Sequence, residues 1–274
     1  MAFAVHRPES VSAAIAALAG PGRVAVSGGT LAIRAINEGK SFPTAIVSLS
    51  RAGLCGIARD GGEMAIGAAT TIADLACPEL GFLDGVLESF GSPTLRNMAT
   101  VGGNLFAHQP YGDLGVALLA LDASLTVAGP QGIRCLTLSG FYAAGLGADE
   151  ILTGVRFASP ARGSWRWLKA TRRVLNSSAV VAIASVLETD AAGIVRKVRI
   201  ALGGVDATPV RSPAAESALQ GRRLDAASAM AAGEAAAAAQ LFLTDAYASA
   251  WYRRRVLPVS MRRALLGDSG GAIS

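Results

Sequence analysis

The residues best suited to chemistry in this chain are glycines and the polar groups beside them. Thr100-Val101-Gly102-Gly103-Asn104 sets two adjacent glycines between a hydroxyl and an amide, and Asp113 follows nine residues after Asn104. Adjacent glycines remove every Cβ from a short turn, so backbone N–H groups can converge on an anion without obstruction. An upstream stretch repeats that chemistry. Ser27-Gly28-Gly29-Thr30 follows the apolar run Val24-Ala25-Val26 and precedes a helical pattern from Leu31 to Asn37. A strand, a glycine turn and a helix start direct N–H groups and a positive dipole end at one point, which suits a phosphate. Either turn alone reads equally well as a tight surface bend; two copies favour a ligand.

Competing chemistries fail on spacing. No G-x-G-x-x-G follows a strand, and Gly39-Lys40-Ser41 resembles the end of a P-loop with Arg34 where its first glycine belongs. Neither His6 nor His108 is read as a metal ligand, and no catalytic acid or base of this chain is expected. His108 is read as a surface or packing residue. Cys55, Cys77 and Cys135 stand far apart, fewer than the four thiolates an iron–sulfur cluster needs. The basic residues, net +5 with pI near 9.5, form no patch with interleaved aromatics, which argues against nucleic acid.

The elements that must position these groups follow from periodicity and punctuation. Ser10 is expected to cap a helix over 11–18, with buried strands at 24–26 and 44–49, so the first fifty residues read as a small parallel α/β unit. Short strands such as 63–66 follow, then a hydroxyl-capped helix opening at Thr70 and Thr71, a helix over 116–121 and a strand over 124–128. Character changes near Ala158-Ser159-Pro160. Beyond it, antiparallel strands are expected at 179–188 and 195–203, joined by a turn at Asp190 to Gly193. Alanine-rich helix runs from Asp225 to about Leu266, with breaks near Leu243 to Asp245 and at Pro258 and a frayed tail from Gly267. The fold class is α+β. A two-part domain is placed at 1–158 (a small parallel α/β subdomain about 1–53 and a mixed α+β subdomain about 54–158) and a domain of antiparallel strands and helices at 159–274. The chain is 51% hydrophobic and 16% charged with mean hydropathy +0.42, which suggests apolar surface meeting a partner. No run of eighteen apolar residues and no secretory signal is visible, so the expected location is the cytoplasm, without a transmembrane segment.

Ser-Gly-Gly-Thr at 27–30, Arg-Asn-Met-Ala-Thr-Val-Gly-Gly-Asn at 96–104 and Asp113-Leu114 together resemble the FAD-binding medium subunit of the molybdenum hydroxylases. The resemblance continues through Ala201 to Val205, Thr208 to Arg211 and Tyr252-Arg253-Arg254. It implies FAD as the cofactor of this chain, held by Val26, Ser27, Gly28, Gly29, Thr30 and Leu31 around its pyrophosphate. It also implies a second loop of Ala99, Thr100, Gly102, Gly103 and Asn104 against the same cofactor. Asp113 would accept from sugar or ribityl hydroxyls, or serve as a helix N-cap. Phe90, Leu95 and Leu152 would supply apolar contacts, and Lys169 would approach the isoalloxazine ring, although as a bare strand lysine it reads as solvated. Molybdenum cofactor and two [2Fe–2S] clusters would sit on large and small partner subunits, in a dimer of heterotrimers. A non-catalytic assembly subunit and a stand-alone flavin dehydrogenase are the other readings. The resemblance makes the chain an oxidoreductase subunit that passes electrons to an external acceptor.

Overall fold

The computed structural model describes residues 3–173 and 177–267. Along the chain run β1 (Ala4–His6), α1 (Val11–Leu18), β2 (Arg23–Val26), α2 (Ala32–Asn37), β3 (Ala45–Ser48), β4 (Ile57–Asp60) and β5 (Glu63–Gly67). Then come α3 (Asp84–Glu88), α4 (Pro93–Met98), α5 (Val101–Leu105), α6 (Asp113–Ala120), β6 (Ser124–Gly129), β7 (Gly132–Thr137), α7 (Leu138–Ala144) and β8 (Ile151–Ala158). The last part holds β9 (Trp165–Thr171), β10 (Ala179–Thr189), β11 (Val195–Gly203), β12 (Val210–Arg211), α8 (Pro213–Leu219), α9 (Ala226–Ala239) and α10 (Ala250–Leu266). The residues separate into two compact units, one of 1–80, 92–107 and 123–158, the other of 81–91, 108–122 and 159–274.

The first unit contains the parallel sheet β1-β3-β2 and the antiparallel sheet β4-β5-β8-β6-β7. Ser10 caps α1 by accepting from the Ala13 N–H, and α1 buries Ala14 and Leu18 in a small core with Val47, Leu49 and Leu54. Between the sheets the hydroxyl-rich stretch at 70–74 forms a single 3-10 turn, Ala73–Leu75, where a longer helix was expected. Thr71 and Asp74 satisfy each other there, the Thr71 N–H and hydroxyl donating to the carboxylate and the Asp74 N–H donating back to the Thr71 hydroxyl. The turn does not extend because Pro78, three residues after Leu75, has no N–H to donate and disfavours a helical residue before it.

The second unit packs the antiparallel sheet β12-β11-β10-β9 against α8 and α10, and α9 packs on those two helices. β10 is buried along almost its full length, and its Val181, Ile183 and Leu187 meet Ala229, Ala232 and Ala236 of α9 in one core with Leu257 and Met261 of α10. The alanines permit close approach. A Cβ at Gly233 would lie 2.5 Å from the Pro258 Cα, so α9 and α10 touch backbone to backbone. Pro258 lies inside α10 and does not end it, contrary to expectation, because packing along the α9 seam holds the helix through the missing N–H.

Arg253 is the polar hub of this unit, with a side chain only 2% exposed. It donates to the Gly204 and Leu243 carbonyls and forms a 2.7 Å ion pair with Asp245. Partial burial alone would raise the Asp245 carboxyl. The Tyr247 and Ala248 N–H groups and Arg253 outweigh burial and hold it below 3.8. Its contribution is therefore present above 3.8 and lost as pH falls through the lowered value. Arg253→Met is expected to lower stability by about 2 kcal/mol in urea denaturation at neutral pH, from the orphaned acceptors. Arg253→Lys should recover only part, since one ammonium cannot span both sides. No helix among the described residues is long and apolar enough to cross a membrane.

Candidate functional site

In the first unit, β2 delivers the chain into Ser27 through Thr30, and α2 begins directly afterwards with Leu31 as a cap that makes no side-chain bond. Two glycines are required here for different reasons. Gly29 adopts φ 74°, the left-handed region that favours glycine. A Cβ on Gly28 would fall 1.8 Å from the Met98 carbonyl oxygen and 3.3 Å from the Ala99 Cα. The first glycine turn is thus pressed against the end of α4. The Gly29 carbonyl accepts from Ile33 and the Leu31 carbonyl from Ala35. Among the described residues, the N–H groups of Gly28, Gly29 and Thr30 have no acceptor in the backbone network outside the regular elements. They border a cavity of about 490 Å³ lined also by Ile33, Arg34, Asn37, Glu38 and Met98.

The second glycine pair is built differently. It opens no loop: Gly102 and Gly103 lie within α5, capped by the Thr100 hydroxyl, which accepts from the Gly103 N–H at 3.2 Å. Val101 N–H donates to Thr70 O, Gly102 N–H to Ala68 O and Asn104 N–H to Thr100 O. The N–H groups of Ala99, Val101, Gly102, Gly103 and Asn104 are therefore committed inside the protein, and the sequence-based reading of the Gly102-Gly103 pair as N–H donors to an anion is corrected. The glycines serve packing. A Cβ on Gly102 would sit 2.9 Å from the Ala68 Cβ and 3.4 Å from Leu152 Cδ2. The Ala99 carbonyl accepts from Ile72, which ties this segment to the 70–72 stretch. Asn104 is 7% exposed and its Oδ1 is a buried acceptor without a partner among the described residues. Thr100→Ala should cost about 1 kcal/mol in thermal or urea unfolding, the ordinary loss of an N-cap.

In the second unit, Asp113 is the first residue of α6, and the cap is Gly112 in the left-handed conformation. The expected N-cap role is therefore corrected. The Asp113 carboxylate instead meets Lys169 Nζ of β9 at 2.6 Å, and both side chains are only 7% exposed. Lys169 is not solvated; it also donates to the Ser89 carbonyl at 3.0 Å. Burial pushes the Asp113 carboxyl up, against the pull of the Lys169 charge and hydrogen bond. Phe90 is buried beside Ser89 in the chain, whereas Leu95 on α4 and Leu31 remain exposed in the first unit. Val26 and Leu152 are core residues, and His108 is exposed.

Sequence reasoning missed Met98, whose carbonyl abuts Gly28, and the α2 face of Arg34, Asn37 and Glu38. Its signal was available in the helical spacing of Thr30, Ile33, Arg34 and Asn37 behind the first glycine turn. Glu38 accepts from Arg34 and Lys40, both at 2.7 Å, and these bonds hold its carboxyl at about 2.

Residues 1–160 match the family described as FAD binding domain in molybdopterin dehydrogenase, and residues 166–267 match the CO dehydrogenase flavoprotein C-terminal domain. The chain belongs to this family of molybdopterin dehydrogenase flavoproteins. It is 29% identical to the carbon monoxide dehydrogenase medium chain of Afipia carboxidovorans over 96% of this chain and 95% of that one. The nicotine 6-hydroxylase medium subunit of Paenarthrobacter nicotinovorans is 34% identical over 64% of this chain and 62% of its own. Among solved structures, carbon monoxide dehydrogenase from Hydrogenophaga pseudoflava superimposes with TM-score 0.91 at 28% identity, covering 97% and 96% of the two chains. Quinoline 2-oxidoreductase from Pseudomonas putida 86 also gives 0.91, at 26% identity and 100% and 99% coverage. The chain is an oxidoreductase flavoprotein subunit, and FAD is the cofactor of its N-terminal family domain. The residues present fit that group: Gly28, Gly29 and Thr30, whose N–H groups have no backbone acceptor among the described residues, line a cavity, Gly28 has no room for a side chain, and Asn104 offers an orphaned acceptor.

Proposed function

We propose that this chain is the FAD-binding electron-transfer subunit of a cytoplasmic molybdenum hydroxylase. It receives electrons from [2Fe–2S] clusters on a small partner subunit and passes them to an external acceptor, while a large partner carries the molybdenum cofactor. The observation that carries the reading is the first glycine turn, with its unused N–H donors at the 490 Å³ cavity. Bound FAD supplies the chemistry, accepting and releasing electrons between the partner and the acceptor. The residues of this chain bind and orient it. Ser27 through Thr30 donate to its pyrophosphate, and Val26 and Leu31 flank that turn. Ala99, Thr100, Gly102, Gly103 and Asn104 form a rigid buttress, Asn104 contributing its free carbonyl oxygen. Phe90, Leu95 and Leu152 add apolar contact, and Asp113 and Lys169 act as one charged pair. The working division is a FAD-binding domain over 1–158 and a C-terminal domain over 159–274, assembled as dimers of heterotrimers.

The test is the visible spectrum of the purified chain, alone and co-expressed with the polypeptides encoded beside its gene, with the released cofactor identified by mass. Stoichiometric FAD, joined by iron–sulfur absorption only in the co-expressed complex, is expected. No flavin under either condition would overturn the reading.

A further inference from the structure

The stretch 240–245 and the start of α10 form one surface of the second unit. Arg254 of α10 donates to the Gln240 carbonyl and lies 5.4 Å over the Phe242 ring, and the Ala250 N–H donates to the Thr244 hydroxyl. The stretch is therefore fixed against the helix. Phe242 adopts φ 34°, a conformation a bulky residue rarely takes. That twist sends Phe242 inward, 5% exposed, and leaves Leu241 92% exposed. On the first turn of α10 Trp251 is 67% exposed and Tyr252 is exposed as well, with the Arg255 guanidinium 5.2 Å over the Trp251 ring. A strained backbone that holds a leucine in water, next to an ordered tryptophan, tyrosine and two arginines, has the composition of an interface centre.

Charge selects the occupant. The one carboxylate in this stretch, Asp245, is taken by Arg253, and Arg254 and Arg255 are exposed and form no ion pair among the described residues. A second copy of the chain would set these arginines against the same arginines, because a two-fold contact pairs a patch with itself. We propose that this face docks a different polypeptide of the complex, one presenting an apolar pocket for Leu241 and Trp251 rimmed by carboxylates for Arg254 and Arg255. The assignment rests on the multi-subunit reading above and adds to it where the contact is made.

The experiment co-expresses the full chain with the polypeptides encoded beside its gene and weighs the complex by native mass spectrometry, for wild type, Leu241→Asp and Arg255→Glu. Both substituted side chains are exposed, so the Tm of each isolated variant and its FAD content should match wild type. Each variant should weaken assembly at least about tenfold, as loss of an interface anchor does. The defect of Arg255→Glu should shrink as salt screens the new repulsion. Assembly of both variants at wild-type strength, with wild type assembling, overturns the docking face and leaves the functional reading standing. Wild-type chain that fails to assemble overturns both. Self-association lost in the variants, or variant-sensitive binding to phosphatidylglycerol vesicles with assembly intact, also overturns the proposal.

Discussion

Gly28→Ala is expected to strip the protein of FAD and to lower its stability by about 3 kcal/mol or more, the upper range for forcing an added methyl into a filled space. The alanine Cβ would stand 1.8 Å from the Met98 carbonyl oxygen. That neighbour is backbone at the end of α4, and it cannot rotate away as a flexible side chain would. Either the first glycine turn withdraws from α4 or α4 shifts, and each movement displaces the three N–H donors at the cavity. Spread over stability and binding, 3 kcal/mol is roughly a hundredfold in an equilibrium constant. Gly29→Ala gives the control. Its φ of 74° makes a side chain costly by about 1–2 kcal/mol, but the nearest atom to its Cβ is Ile33 Cγ1 at 3.1 Å, the edge of a movable side chain. The comparison is made by FAD content after gel filtration and by urea denaturation. Equal FAD retention in Gly28→Ala and wild type would remove the turn from the cofactor site.

Much of this arrangement was legible because local signals and tertiary packing agree. Ser10 before an apolar run, the strand–glycine–helix order at 23–37 and the two apolar runs on either side of the Asp190 turn each specify a local structure that burial then reinforces. The second glycine pair was misread for a physical reason. Gly-Gly in sequence reports only that a Cβ is unwelcome; it does not say whether a ligand or another part of the chain occupies that space. At Gly28 the backbone of Met98 approaches and N–H groups stay unused, whereas at Gly102 Ala68 approaches and the N–H groups are consumed. Pro258 shows the converse. Propensity alone ends a helix there, but the seam with Gly233 supplies packing that outweighs one lost hydrogen bond. No local pattern joins residues 56 positions apart, so the pairing of Asp113 with Lys169 was beyond reach, and reading each residue singly gave a cap and a solvated lysine.

That pair supports the last expectation. Lys169→Met should destabilise the protein by about 3–5 kcal/mol, because Asp113 would remain buried without its counter-charge; Asp113→Ala should cost a similar amount by orphaning the ammonium. Asp113→Leu combined with Lys169→Met should restore stability to near wild type, since two apolar groups remove the desolvation cost along with the attraction. The pH dependence supports the same balance. Because burial raises the Asp113 carboxyl above 3.8, its contribution to stability is fully present below 3.8 and is lost as pH rises through the raised folded value. The Asp113 contribution thus shrinks as pH rises above 3.8, and in urea titrations across this range wild type should lose stability relative to the double variant as pH rises. A buried ion pair can also do work other than folding. If that work is electrostatic control of the cofactor, the stable double variant should hold FAD at a lower midpoint potential, because a cation that favours the reduced ring has been removed. Spectral redox titration decides it: an unchanged potential in a well-folded, FAD-loaded double variant would leave Asp113 and Lys169 as a structural pair.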